Sequence, residues 1–413
     1  MSPRTVFGPY ARLFAVPGSL AFSFAGWVAR LPIPMLSLGA VLLVAGETGS
    51  YGLAGAVSGT LALSFSVASP QWAHAMDRRG QGTVLRWAMA GYVLCGYGFV
   101  AAVTLGAPRW SWFVLAALCG ASGPNIGSLV RARWAEALTE PGRRQTAFAL
   151  EAVVDEVVFV VGPPLVTLLA TLVAPPVGFL TGITLGGVGG LWLARQRATE
   201  PAVQPSDPGA PSRRWAALNA TVLVVAVTYA AVGTVFGAMD VVVVGFADEQ
   251  DAPALAGVAL AVYALGSLVA GLVYGVARLP GTLSARFLVT AVAFGLAAQV
   301  LWDVGSLTVL VAAGFLAGTT IAPVLVSGTS LVESRVPRTA LTEALSWTIT
   351  GLTLGVTAGS ALAGAAVDAW GAESAFAVPA GAAALAALLA LAGAPLLRAR
   401  TAPVRADLAR ETA

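Results

Sequence analysis

Residues 195–215 read RQRATEPAVQPSDPGAPSRRW, and this stretch decides how the rest of the chain is arranged. Proline, arginine and small polar residues dominate it, so it is too polar to enter a bilayer and has the makeup of a linker. Six apolar runs precede it, at 14–44, 52–74, 83–105, 110–133, 147–173 and 176–194. Six more follow, at 216–245, 254–277, 285–303, 306–332, 341–367 and 373–397. Each is of the order of the ~20 residues that cross a hydrocarbon core. The runs are continuously apolar and lack the alternation of barrel strands, which selects helices. The predicted fold is therefore an all-α membrane protein of twelve transmembrane helices in two six-helix halves. The halves are 1–194 and 216–397, joined by a cytoplasmic linker at 195–215 and followed by a tail at 398–413.

Composition agrees with the runs. Of 413 residues 57% are hydrophobic and 10% charged, with a mean hydropathy of +0.82. Too little polar surface remains to face water, and the short loops leave no room for a soluble enzyme domain. Disorder and nucleic-acid binding fail on the same ground. The first run is too long for a cleavable signal peptide and contains Arg30. Two cysteines, Cys95 and Cys119, and a single histidine form neither a disulfide framework nor a metal site, so no metal and no cofactor are expected. No phosphate-binding G-x-x-x-x-G-K loop and no Ser-His-Asp arrangement occurs, which argues against an ATP-driven pump and against an enzyme.

All 23 basic residues are arginine. With the N-terminus in the cytoplasm, every arginine falls on the inner side except Arg30, within a run, and Arg109, outside. The outer loops instead carry Glu47, Asp248, Glu249, Asp251, Asp303, Asp368 and Glu373. This is the positive-inside pattern, and it explains the net charge of +3 without an acidic partner. Trp110, Trp112, Trp302 and Trp370 mark outer ends, and Trp87, Trp134, Trp192 and Trp215 inner ones, as an interfacial belt would. The two halves also match each other weakly. Glu151 pairs with Glu343, Pro124 in GASGPNIG with Pro323 in GTTIAPVL, and Gly80 with Gly281. Repeats in the same order imply a pseudo-two-fold axis along the membrane normal, with a site between the halves near mid-membrane.

After the second run the chain reads AHAMDRRGQG, 73–82. This resembles the loop signature of the major facilitator superfamily, roughly G-x-x-x-D-R-x-G-R-R. Asp77, Arg78 and Gly80 match; Ala73 stands for the leading glycine, and Gln81 and Gly82 for the two last basic positions. TGSYGLAG at 48–55 is similar to the outer turn between the first two helices of bacterial drug and metabolite exporters in that superfamily. VVGPPL at 160–165 partly resembles the fifth-helix Gly-Pro element of proton-driven antiporters, through Gly162 and Pro163. The resemblance implies alternating access, with Asp77 and Arg78 latching the halves from the cytoplasmic loop and Gly162–Pro163 as a packing or hinge element. A solvated loop that only anchors topology is the alternative for Asp77 and Arg78.

An ionisable group near the bilayer centre costs about 2.5–3.5 kcal/mol on the mildest scale and usually marks function. Arg30, in WVARLPIPM, precedes Pro32 and Pro34, which are expected to break or kink the helix. It is placed to bind an anionic substrate group or to neutralise a buried carboxylate; snorkelling to the interface is the bland alternative. LEAVVDEVVFVVGPP carries Glu151, Asp155 and Glu156, the first two on one helix face, with Glu151 nearest the inner interface. Asp155 or Glu156 is a candidate proton carrier modulated by Arg30, weighed against a static ion pair between the first and fifth helices. Asp240, in FGAMDVVVV, is a second candidate for substrate or proton contact, weighed against a structural role.

The expected function is proton-coupled export of a small amphipathic or anionic metabolite or drug by a monomer in a bacterial inner membrane. Its partners are that small molecule, protons and the lipid bilayer, with no nucleic acid. An uptake permease for a small polar solute and a non-transporting receptor or assembly factor are the alternatives.

Overall fold

The structure, a computed structural model, describes residues 12–203, 219–276, 280–336 and 341–398. Among the described residues there is no strand, and twelve helices are long and apolar enough to cross a membrane. Spans 1 to 6 are Ser19–Thr48, Tyr51–Met76, Gln81–Thr104, Arg109–Ala137, Thr146–Leu172 and Pro175–Arg195. Spans 7 to 12 are Ala220–Glu249, Leu255–Gly275, Leu283–Asp303, Leu307–Arg335, Ala344–Trp370 and Ala372–Ala392. Each lies on one of the twelve apolar runs. Most of the expected linker falls outside the described residues, as does the tail beyond Arg398. An even number of spans puts both ends of the bundle on one face, here the terminal face; the other is the far face.

The packing has the expected symmetry. Span 2 lies on span 11, and span 5 on span 8. Advancing each number by six turns one pair into the other, as a two-fold axis between the halves requires. The symmetry-equivalent spans 1 and 7 are the most enclosed. The peripheral spans expose large apolar side chains, among them Leu94, Val188, Val289 and Leu388, where lipid takes the place of water.

Small residues set the closest contacts, because apolar side chains gain little by leaving lipid and tight backbone approach must do the holding. On span 11, a Cβ at Gly351, Gly355 or Gly359 would strike the carbonyl oxygen of Ala226, Ala230 or Thr234 on span 7. In return, Gly233 and Gly237 face the carbonyls of Leu352 and Val356. Gly355→Ala is therefore expected to destabilise the protein by about 1–3 kcal/mol, read as a lower melting temperature in detergent. An unchanged melting temperature would mean the two backbones can separate freely.

Contact between the halves is concentrated toward the far face. Gly55 and Gly59 of span 2 abut the backbone of Ser360 and Thr357 on span 11, and Gly257 of span 8 abuts Pro163 of span 5. Thr357 Oγ1 donates across the same seam to the Gly59 carbonyl at 3.1 Å.

Spans 4 and 10 are both interrupted at mid-depth. Span 4 consists of helices Arg109–Ser122 and Ile126–Ala137, and span 10 of Leu307–Gly318 and Ile321–Arg335. In span 4 the break surrounds Pro124, which has no N–H for the helical ladder, and Asn125 restarts the helix by accepting from Ser128 N at 3.1 Å. In span 10 the break is at Thr319–Thr320, ahead of Pro323. Span 1 is interrupted only at Leu31, which keeps right-handed helical dihedrals before Pro32 begins the next segment.

Candidate functional site

Arg30, Arg131, Glu151 and Asp155 form one closed network. Arg30 is fully buried. Its Nε donates to the Gly26 carbonyl one turn back, at 3.0 Å. Its Nη1 reaches Asp155 Oδ1 at 2.7 Å, and its Nη2 reaches Glu151 Oε2 at 2.5 Å. Glu151 and Asp155 can share one guanidinium because a four-residue spacing stacks them on one face of span 5. The remaining oxygens are also occupied: Glu151 Oε1 accepts from Trp134 Nε1 at 2.9 Å, and Asp155 Oδ2 from Arg131 Nη2 at 2.5 Å. Two guanidiniums face two carboxylates, so the network is neutral, the condition under which buried charge is tolerated. Trp134 closes its apolar side, edge-on to Phe22 at 4.8 Å between ring centroids.

The acids differ in access. Glu151 is fully buried, whereas Asp155 is 31% exposed and Arg131 37%. Glu156 turns off this face, is half-buried and forms no ion pair among the described residues. The sequence places Arg131 among the inner-side arginines and Trp134 in the interfacial belt. The structure instead turns both toward the buried acids. Their three-residue spacing, which puts them on one face of span 4, was the available signal. Trp112 is likewise buried, while Trp87, Trp110, Trp302 and Trp370 are exposed.

At the terminal face the loop signature is tied to span 6. Gly80 ends the second helix at φ 85°, a left-handed conformation open to glycine, and a Cβ there would also crowd Glu200. Gln81 and Gly82, where the chain departs from the signature, have partners that suit them. Gln81 Oε1 accepts from the buried Arg133 Nε at 3.0 Å, and Gly82 N donates to Glu200 Oε1 at 2.9 Å. Arg133 also donates to the carbonyls of Leu193 and Gln196 at the end of span 6, adding to the Gln196 N–H and the Thr199 hydroxyl that these oxygens already accept. Arg78 is exposed, with Nη1 3.4 Å from His74 Nε2. The side chains of Asp77 and Glu343 lie outside the described residues.

Asp240 stands apart from this network. It sits on span 7, about 14 Å of helix from the far end, beside the Ser37 hydroxyl of span 1. Ser37 in turn pairs with Ser58 of span 2 at 2.8 Å between hydroxyl oxygens. The neighbouring Tyr263 hydroxyl is buried without a hydrogen-bond partner among the described residues. No ion pair reaches Asp240 among the described residues. Gly162 and Pro163 are buried where span 5 meets both halves: Gly162 lies on Pro34 and Met35 of span 1, and the Pro163 carbonyl on Gly257 of span 8. Among the described residues, no cluster of His, Cys, Asp and Glu could hold a metal.

Twelve spans in two matched halves, with charge enclosed between helices and paired breaks at mid-depth, define a multi-pass membrane protein of the transporter type. The chain belongs to the Major Facilitator Superfamily, whose model matches residues 16–252 and again 216–411. An auto-inhibited POT family peptide transporter superposes with a TM-score of 0.73 at 16% identity, over 94% of this chain and 98% of that one. The nucleoside transporter NupG gives 0.69 at 14% identity, over 93% and 100%. The human organic anion transporter MFSD10 gives 0.62 at 15%, over 92% and 100%. At these identities the likeness shows the fold. No curated protein matches the sequence significantly.

Proposed function

We propose that the protein is a proton-coupled secondary transporter that works by alternating access and exports a small amphipathic or anionic metabolite or drug. The observation that carries this reading is the division of its intramembrane acids. Glu151 and Asp155 are held by guanidiniums, whereas Glu156 and Asp240 have no cationic partner among the described residues. A carboxylate inside a membrane without a fixed counter-charge is suited to take and release a proton as its access changes. Asp155, half-open and shared by Arg30 and Arg131, links the balanced network to the same exchange. Arg30 is saturated by two acids, so the half-exposed Arg131 is the guanidinium suited to an anionic substrate group.

The paired breaks in spans 4 and 10 support a substrate site at mid-depth between the halves, since interrupted helices in equivalent positions free backbone groups for a ligand. Arginine on the terminal face supports a cytoplasmic location for both termini, in a bacterial inner membrane. In that orientation the seam between spans 2 and 11 closes the outer side, and the structure is the inward-facing state. The Gly162–Pro163 element, packed on both spans 1 and 8, is assigned to the hinge between states, and Asp77 with Arg78 to the inner latch.

Everted membrane vesicles test this. Accumulation of candidate amphipathic compounds is expected when an inward-acid gradient is imposed, and is expected to collapse when the gradient is dissipated. No response to any compound or gradient would favour a non-transporting role on the same fold.

A further inference from the structure

Neither the charge network nor Asp240 uses the segment TGSYGLAG, 48–55. Gly49 turns the chain at φ 68°, and Ser50 caps span 2 by accepting from Leu53 N at 3.2 Å. The first turn of any helix leaves N–H groups without partners, at the positive end of its dipole. Here two of them are taken by a carboxylate from the other half. Asp368, near the end of span 11, accepts from Tyr51 N at 2.7 Å through Oδ1. Through Oδ2 it accepts from Gly52 N and from Ser50 Oγ, each at 2.8 Å. Tyr51 also donates its hydroxyl to Asp248 Oδ2, at the end of span 7, at 3.2 Å. Below these bonds Gly364 faces the Tyr51 carbonyl, so the backbones meet with nothing between them.

We infer that Asp368 is a latch that fastens the two halves at the far face, and that the Ser50–Gly52 turn is its receptor. Spans 2 and 11 are antiparallel neighbours, and each acid follows its own helix to the start of the other. The helix of span 2 runs Tyr51–Arg79 and that of span 11 Leu341–Trp370, so Asp77 comes ~26 residues after the start of the first and Asp368 ~27 after the start of the second, about 40 Å of helix in both cases. The pair is a two-ended lever. Rocking that seats Asp368 on span 2 separates the terminal-face ends, and rocking that brings Asp77 to the start of span 11 frees Asp368. This exclusivity rests on the alternating-access reading; the far-face latch does not.

The test measures conformation and needs no substrate. Cys95 and Cys119 are replaced by alanine, and spin labels are placed at Arg109→Cys and Glu373→Cys, exposed positions on the far face of opposite halves. Distances are then measured by electron paramagnetic resonance in lipid nanodiscs. The parent is expected to show mainly the short distance. Asp368→Ala is expected to raise the long-distance population about tenfold, the scale of losing a charged hydrogen-bond cluster. Ser50→Ala should move it in the same direction by less, and Glu47→Gln, an exposed acid on the same face, should leave it unchanged. If Asp368→Ala does not fold, the isosteric Asp368→Asn carries the test. A folded Asp368 variant with the parent's distance distribution would overturn the latch, whatever the protein transports. Loss of transport with an intact latch would overturn only the proposed function.

Discussion

Arg30→Leu is expected to cost about 3–5 kcal/mol of stability, the usual result of leaving a buried charge without its partner. The cost falls mainly on Glu151. Asp155 keeps Arg131 at 2.5 Å, whereas Glu151 would be left with only the neutral Trp134 N–H. Arg30→Lys should recover only part of the loss, because one ammonium cannot span two carboxylates as the guanidinium fork does. Arg30→Leu combined with Glu151→Gln should be more stable than Arg30→Leu alone, since the second change removes the stranded charge. Thermal unfolding in detergent reads all three. If Arg30→Leu melts with the parent protein, the network is not what joins spans 1, 4 and 5.

Asp240→Asn is expected to bring gradient-driven accumulation down to the passive level. The side chain keeps its shape and its contact with Ser37 but can no longer exchange a proton. Glu156→Gln should reduce coupling in the same sense, and Asp155→Asn should weaken it while loosening Arg131. Vesicle accumulation with and without an imposed pH gradient separates these effects. Persisting gradient-driven accumulation in Asp240→Asn would remove that residue from the coupling path.

The fold was legible because the bilayer imposes it. A run of about twenty apolar residues has few other uses, and the polar stretch from Arg195 divided the runs evenly. Arg30, Glu151 and Asp155 were legible as a group because charge in lipid must find a partner and a four-residue spacing shares a face. Their exact pairing was not. Arg131 and Trp134 lie close to the terminal face, where arginine and tryptophan are common for topological reasons, so nothing in composition separated them from Trp87 or Arg86. Arg133 was hidden in the same way, its burial depending on the carbonyls at the end of span 6. In the sequence Asp368 is one outer-loop acid among several. Only the antiparallel packing of spans 2 and 11 brings it to the start of span 2, a relation between residues more than three hundred positions apart that no local pattern encodes.

On the proposed mechanism, protons passing through Glu156 and Asp240, which no guanidinium holds among the described residues, drive the substrate. The most direct measurement is substrate-induced proton flux in liposomes containing the purified protein, followed with a pH-sensitive dye. Proton movement opposite to the substrate is expected in the parent protein, and none in the Asp240→Asn, Glu156→Gln double variant. Substrate movement without any proton flux in the parent, or an undiminished flux in the double variant, would overturn proton coupling through these acids.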